Sequence, residues 1–599
     1  MRDFADQHEA RRDSQLTKRL LGYVKPYIGQ FILVFFLMIF SVATSVILPS
    51  ATGIAINVMN DSNITYEDKI IFIIIGTSLL VVVLFVSIII NYFLTMILQK
   101  IGQKITHQIR TEVFTHIQNL SIGQINMLPV GKLVTRATND PGNISDMFTN
   151  SIVNLVRYIL MILVMGVALF VIEWKMALIT MITVPFIITA SLLFRKYSRK
   201  AYREVRNNVS EVNGYLSENL SGMKITQVFN QQDKKIQQFN KVNKNLQKSY
   251  IKEILVFGIY RPIIWLLSMV ATILTVYLGA ENILTGGGLS IGAFVSFYVF
   301  VGQFFEPIQQ IAEQFNTLQN GFASAEKIFD VLDTKPDIED EEDAIELNEF
   351  KGSIEFKDVW FSYIPDEWVL KGISFKVNPD ETVAFVGATG SGKTTILQLI
   401  VRNYDIQKGE ILIDGIDIKK IKRSSLRKFV GQMLQDVFLF SGTVKDNITL
   451  FDDSISDERV IEASEYVGLN HVLNRLPDGL NHEVRERGNN FSSGERQLIS
   501  FARAVVYKPS LMILDEATAN IDSETEAIIQ ESLKKMMNIS TMLIVAHRLS
   551  TIQHSDKIIV MHKGEIKEMG NHQDLLKRKG LYYNLYQLQY DNQEVIESV

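Results

Sequence analysis

Apolar residues are gathered in the first half of the chain. They form long runs at Phe31 to Ile54, Ile70 to Leu98, Ser151 to Ile172, Met176 to Phe194, Ile254 to Leu278 and Ile291 to Gln310. Each run is near the ~20 residues that a helix needs to cross the hydrocarbon core of a bilayer, so six spans are predicted. After Thr334 the stretch Lys335 to Ala344 is acidic and lacks apolar periodicity, which marks a linker. The pattern then changes to short β-rich runs alternating with helical stretches, for example Ile354 to Phe356, Thr382 to Val386, Leu511 to Leu514 and Met542 to Val545. Such alternation predicts an α/β domain of roughly 250 residues around a partly parallel sheet. The expected division is a helical membrane domain over residues 1–330, a linker over 331–350, the α/β domain over 351–590 and a tail over 591–599.

The flanks of the spans set their expected orientation, because positive residues favour the cytoplasmic side. The N-terminal arm carries Arg11, Arg12, Lys18, Arg19 and Lys25. The segment after the second span carries Lys100, Lys104, Arg110, Lys132 and Arg136, and the one after the fourth carries Arg195, Lys196, Arg199, Lys200, Arg203 and Arg206. The opposite connections are short: one holds Asp61, Glu67 and Asp68, one is little more than Glu173-Trp174-Lys175, and one holds Gly286-Gly287-Gly288. Both termini are therefore expected in the cytosol. The two cytoplasmic connections keep a helical period with mixed charge, so the spans should continue into the cytosol as helices. Gly131-Lys132-Leu133 and Ser221-Gly222-Met223 are the predicted reversals, and such tips could touch a cytosolic motor. Soluble helical hairpins with no such role are the plainer alternative.

Composition narrows the classes. The 599 residues carry a net charge of −5, which gives no electrostatic footprint for nucleic acid. Cysteine is absent, so disulfides, thiolate metal sites and thiol nucleophiles are excluded together. The start Met1-Arg2-Asp3-Phe4-Ala5-Asp6-Gln7 is charged and has no apolar core followed by a cleavage site, so no cleaved signal peptide is expected.

The chemistry is concentrated in the second half. Thr382 to Val386 reads as a buried strand and runs directly into Gly387-Ala388-Thr389-Gly390-Ser391-Gly392-Lys393-Thr394, with Thr395 following. Glycines there let backbone N–H groups curl round phosphates, the following helix offers its positive end, Lys393 neutralises β/γ charge and the Thr394 hydroxyl can reach Mg²⁺. A chance glycine-rich turn would lack the strand before it and the helix after it. Leu511 to Leu514 is a second apolar strand, and it ends in Asp515-Glu516. The first acid can hold the metal through water, and the second is placed to orient or deprotonate an attacking water. Alone, the two acids could equally be a solvated sheet edge; beside a phosphate loop they gain a role.

With these motifs the whole chain resembles an ABC transporter of the exporter type, a membrane domain fused ahead of a nucleotide-binding domain. The resemblance implies ATP and Mg²⁺ as cofactors and further roles for residues that match its ordered motifs. Tyr363, in Phe361-Ser362-Tyr363, matches the aromatic stacked on adenine; Gln435, in Leu434-Gln435-Asp436, the glutamine that senses magnesium; His547, in Ala546-His547-Arg548, the switch histidine at the γ-phosphate; and Asp522, in Asn520-Ile521-Asp522, the loop acid that crosses between subunits. Each has a local rationale, since a phenol can stack on a purine, an amide oxygen can meet a metal or water, and a neutral imidazole can donate to phosphate.

One motif departs from that pattern. Phe491-Ser492-Ser493-Gly494-Glu495 stands where the family signature is normally Leu-Ser-Gly-Gly-Gln. The signature presses on the γ-phosphate bound by the opposite subunit, so Ser493 adds a side chain where close approach matters and Glu495 adds negative charge. Both changes are expected to weaken closure, unless the serine is harmless and the carboxylate lies too far away. The pattern of complete loop, acid pair and histidine with an altered signature is similar to one subunit of bacterial heterodimeric multidrug exporters. A homodimeric lipid or peptide exporter and a non-transporting ATPase that regulates a partner are the other readings. As for cargo, the last two spans are rich in Phe257, Trp265, Met269, Phe294, Phe297, Phe300, Phe304 and Phe305, which fits packing or an adaptable cavity for amphipathic molecules. Arg261 and Glu306 lie within those spans and are expected to pair or bind a polar substrate group, or, for Arg261, to snorkel.

Overall fold

A computed structural model describes residues 16–433, 436–515, 523–537, 540–545 and 552–588, apart from the side chains of Ala312, Asn316, Ser523 and Glu524. The chain divides into two compact units, one of Met1–Gln118 with Pro129–Thr334, the other of Asn119–Leu128 with Lys335–Val599.

In the first unit, six helices among the described residues are long and apolar enough to cross a membrane: Leu16–Asn60, Tyr66–Asn119, Val130–Ile172, Trp174–Ser221, Gln232–Leu284 and Ile291–Leu332. Each contains one of the predicted runs and extends well past it, because the sequence beyond the run keeps a helical period. Ile101, Ile105, Ile109 and Val113 recur every four residues along one helical extension, and all are fully or almost fully buried against Leu20, Met147 and Ile328. A polar clasp sits beside them. Arg136 pairs at 2.6 Å with the buried Asp140, whose other oxygen accepts from Ser324 Oγ at 2.9 Å, and Asn143 donates to Ser324 at 3.0 Å. Nearer the membrane-spanning centre, Phe297, Phe300, Phe304 and Phe305 form a packed cluster with Met165, Leu169 and Ile264.

The first reversal is not at Gly131. Ser121 caps a short helix, Ile122–Met127, through a reciprocal capping box with Gln124, and the chain turns again at Leu128. Pro129 then begins the returning helix Val130–Asp146, which encloses Gly131. Proline at a helix start is a stronger punctuation mark than glycine in a first turn, where a glycine is tolerated. The second reversal is at the predicted place: one helix ends at Ser221 with Gly222 as its C-cap, and the short helix Met223–Val228 follows.

The second unit contains strands β1 (Ile354–Ser362), β2 (Trp368–Val377), β3 (Thr382–Val386), β4 (Lys408–Ile413), β5 (Ile416–Asp417), β6 (Val430–Met433), β7 (Gly442–Thr443), β8 (Glu483–Val484), β9 (Leu511–Asp515), β10 (Thr541–Val545), β11 (Lys557–His562) and β12 (Glu565–Gly570). The main sheet runs β12-β11-β3-β10-β9-β6, with a smaller sheet β2-β1-β4-β5. β3 and β10 are buried at every residue, as strands covered on both faces must be, which is why they read as continuous apolar runs rather than alternating ones. β10 pairs in parallel with both β3 and β9, setting Val545 opposite Phe385 on one side and Asp515 on the other. The carboxyl ends of these strands therefore share one edge, the usual place for a ligand in a parallel sheet.

The acidic stretch after Thr334 is not a free tether. Asp340 accepts from Arg402 at 3.2 Å and from Arg423 at 3.3 Å, and Arg402 is 2% exposed with a second carboxylate partner in Asp405 at 3.1 Å. Ile345 bridges Ile421 in parallel. The negative charge that disrupts periodicity here serves to pin this segment to the α/β unit.

Candidate functional site

The phosphate loop follows β3. Its turns require positive φ at Gly387, Gly390 and Gly392 (154°, 80° and 101°). A Cβ on Gly392 would lie 2.6 Å from a Leu370 methyl, and one on Gly387 would lie 2.2 Å from the Met561 carbonyl oxygen, so neither position admits another residue without displacement. The helix Lys393–Ile400 begins directly after Gly392 and points its N-terminal N–H groups into the loop.

Polar groups in the loop are arranged as if for an anion. Lys393 is 6% exposed, and its ammonium donates to the carbonyls of Gly387 at 2.7 Å and Ala388 at 3.1 Å. Burial pushes its pKa down, opposed by the negative charge of Asp515 at the end of β9. Ser391 is buried, and its Oγ has no hydrogen-bond partner among the described residues. A buried hydroxyl without a partner is a vacant donor, and phosphate oxygen is a suitable acceptor. Thr389 and Thr394 are exposed and Thr395 is buried. Tyr363 donates from its hydroxyl to Thr395 Oγ1 at 3.1 Å, and burial of the phenol raises its pKa, keeping it protonated. Phe361 and Tyr404 meet the Tyr363 ring edge-on, at 4.9 and 5.0 Å between centroids, and 42% of Tyr363 is exposed, which leaves a ring to offer a purine.

Gln435, Glu516, Asp522 and His547 lie outside the described residues. β9 and β10, which precede Glu516 and His547 in sequence, end side by side at Asp515 and Val545.

The altered signature opens the helix Ser493–Val506. Ser492 Oγ accepts from the Glu495 N–H at 3.2 Å, while the Glu495 carboxylate accepts from the Ser492 N–H at 2.8 Å, a complete capping box. Gly494 is buried, Ser493 and Glu495 are half-buried and Ser492 is exposed. The charge that departs from the family pattern is thus folded back onto its own helix start.

The membrane residues singled out from sequence separate into two groups. Phe297 and Phe304 are packed in the aromatic cluster at 0% and 3% exposure. Arg261, Trp265, Met269 and Glu306 are uncovered by protein, and no ion pair joins Arg261 to Glu306 among the described residues.

Sequence comparison agrees with this arrangement. The ABC transporter transmembrane region family matches residues 31–308, and the ABC transporter family matches residues 370–519. A probable multidrug resistance ABC transporter ATP-binding/permease protein of Bacillus subtilis, YheH, is 38% identical over 511 residues, covering 84% of this chain and 75% of that protein. The chain belongs to the ABC transporter family. An ATP-dependent lipid A-core flippase of Syntrophus aciditrophicus is 33% identical over 509 residues, covering 85% of this chain and 84% of that protein. Among solved structures, a bacterial Atm1-family ABC exporter with ATP bound superposes with a TM-score of 0.75 at 25% identity, over 94% of this chain and 98% of that one. The protein is accordingly an exporter-type ABC subunit with fused membrane and ATP-binding domains, an ATPase coupled to transport.

Motif reading missed part of the exporter's machinery. Gly123 in the Ser121-capped helix lies against Tyr404, close enough that a Cβ would approach the ring to 2.7 Å. Gln124 donates to the Lys335 carbonyl at 2.7 Å and to Asp337 at 3.0 Å. Tyr404 in turn edges Tyr363. A chain of contacts therefore runs from this short helix to the aromatic that flanks the phosphate loop. The signal was present in the sequence as Ser121-x-x-Gln124 followed by Pro129, a capping box and a stop.

Proposed function

We propose that this exporter subunit moves amphipathic small molecules out across the bacterial cytoplasmic membrane as one of two unlike halves, with both termini in the cytosol. The substrate class rests on one observation: Arg261, Trp265 and Met269 recur at four-residue spacing on one helix, all uncovered by protein. Such a stripe offers a cation, an aromatic ring and a deformable thioether to one molecule. Glu306 on the last span adds an anion. The likeness to proteins named for multidrug resistance and for lipid A-core flipping supports cargo with both polar and apolar parts.

At the nucleotide, Tyr363 stacks on adenine while Gly387 to Thr395 wrap the phosphates. Lys393 leaves its two carbonyls for the γ-phosphate, a small swing because its ammonium already sits inside the loop. Thr394, Asp515 and Gln435 would hold Mg²⁺, which would supply positive charge to the phosphates. Glu516 takes the proton of the attacking water, and His547 donates to the γ-phosphate and holds Glu516. The partner's signature closes this site. Ser492 to Glu495 act on ATP held by the partner, and Asp522 matches the acid that the family resemblance assigns to contact between subunits.

The asymmetric pairing is supported by Ser493 and Glu495, and a homodimeric lipid exporter is the second reading, favoured by the flippase relative. Purification from the native membrane separates them: a second, similar chain in equal amount is expected, and recovery of this chain alone with full ATPase activity would sink the asymmetric model. For the cargo, Trp265→Ala with Met269→Ala should reduce stimulation of ATPase by amphipathic dyes in nanodiscs at least fivefold. Unchanged stimulation would remove the stripe from the substrate path.

A further inference from the structure

The ATP domain carries a cavity that nucleotide chemistry leaves unused. Its volume is about 480 Å³, within the range of small-molecule sites. Phe350, Tyr466, Val505 and Met512 give it an apolar wall. Its polar lining holds Lys351, Arg459 and Lys508 with two carboxylates, Asp380 and Glu462, and Lys508 is engaged with Glu462 at 3.7 Å.

Two polar atoms in this lining are unusual. Arg459 Nε and Ser540 Oγ are both shut off from solvent and have no hydrogen-bond partner among the described residues. Ser540 is only 5% exposed. A buried N–H and a buried hydroxyl without acceptors are costly to a fold, and a ligand carboxylate that accepted from them would recover that cost. Both residues line the same cavity as the apolar wall, so a ligand that reached their polar atoms would have an acidic head and a hydrocarbon body.

We propose that this cavity is a regulatory site for a small amphipathic carboxylic acid, with the carboxylate accepting from Arg459 and Ser540 and the body lying on Phe350, Tyr466, Val505 and Met512. Its position gives the occupant leverage. Val505 stands in the last turn of the helix that Ser492 caps, and Met512 is the second residue of β9, which ends at Asp515. An occupant bears on both elements from the ends remote from the phosphate loop, without contact with ATP.

The test uses the purified full-length protein, with any chain that copurifies, in nanodiscs. Decanoic acid and 1-naphthaleneacetic acid serve as probes, and 1-naphthaleneacetamide serves as the uncharged control. Saturation-transfer NMR should show saturable binding of at least one acid, at least tenfold weaker binding of the amide, and no displacement by a non-hydrolysable ATP analogue. Arg459→Gln should weaken binding of the acid at least tenfold. Ser540→Ala, which removes one atom, should weaken it about threefold and carries the test if the arginine variant does not fold. Bound acid should change kcat for ATP at least twofold with KM unchanged. Absence of saturable binding by both acids, equal binding of acid and amide, insensitivity to both substitutions, or displacement by nucleotide would overturn the site; binding that leaves kcat unmoved would overturn its regulatory role.

Discussion

Glu495 is where sequence and structure pull in different directions, and two substitutions separate its roles. In the structure its carboxylate accepts from the Ser492 N–H at 2.8 Å and completes the capping box. Glu495→Gln keeps an acceptor oxygen of the same reach but discards the charge, whereas Glu495→Ala discards both. Loss of the box costs about 1 kcal/mol, within a range of ~0.5–2 for capping interactions. Loss of the charge beside a helix start costs about 0.3–1 kcal/mol. A domain of this size shifts its Tm by ~2–4 °C per kcal/mol. Calorimetry of the purified exporter should therefore place Glu495→Ala about 3–6 °C below the parent and Glu495→Gln only about 1–3 °C below it. ATP turnover should move the other way for the glutamine variant. Removing a like charge from the signature is expected to raise kcat about two- to tenfold, up to ~1.4 kcal/mol of barrier, while the alanine variant gains less because its helix start is loosened. Equal Tm losses in the two variants would show that the carboxylate is not acting as a cap. Turnover unchanged by Glu495→Gln would show that its charge does not reach the partner-bound phosphate.

Other substitutions probe the rest of the machinery. Glu516→Gln should retain ATP binding and lose cycling by about 100-fold or more, as loss of a general base does; near-parental hydrolysis would show the base to be another group. Gly123→Leu should uncouple transport from ATPase, because its Cβ alone would come within 2.7 Å of the Tyr404 ring; transport per ATP, measured in vesicles, is expected to fall severalfold while nucleotide binding stays. His572 has its pKa pushed down by burial, and its Nδ1 lies 2.7 Å from the Tyr582 hydroxyl. The folded state therefore holds this proton less well than the unfolded chain, so stability is lost as pH falls through and below the ordinary histidine value near 6.5. His572→Asn should flatten that part of a Tm-versus-pH profile, and an unaltered profile would assign the acid sensitivity to another group.

The fold was legible wherever a single physical demand dominated a stretch of chain. A span must be apolar for about 20 residues, and a strand covered on both faces must be apolar throughout, so both kinds of element announced themselves. The phosphate loop was equally clear, since Gly387 and Gly392 answer to steric limits that no other residue meets. What escaped notice depended on pairing between distant residues. Nothing local in Tyr404 tells that Gly123 lies against it, and nothing in Asp340 tells that two arginines 62 and 83 positions away hold it. The first tip holds two turns, and the predicted break at Gly131 falls just past the second of them: glycine type alone does not fix the place, whereas the capping box at Ser121 and the proline at 129 carry the geometry.

Residues 119–128 fold with the ATP domain although a long membrane-spanning stretch separates them from it in sequence. A modular unit in this exporter is therefore not a continuous piece of gene. A graft that exchanges the ATP domain for a relative's by a single cut after Thr334 would leave the socket around Tyr404 facing a foreign helix. Carrying the ten-residue segment with the graft preserves the fit.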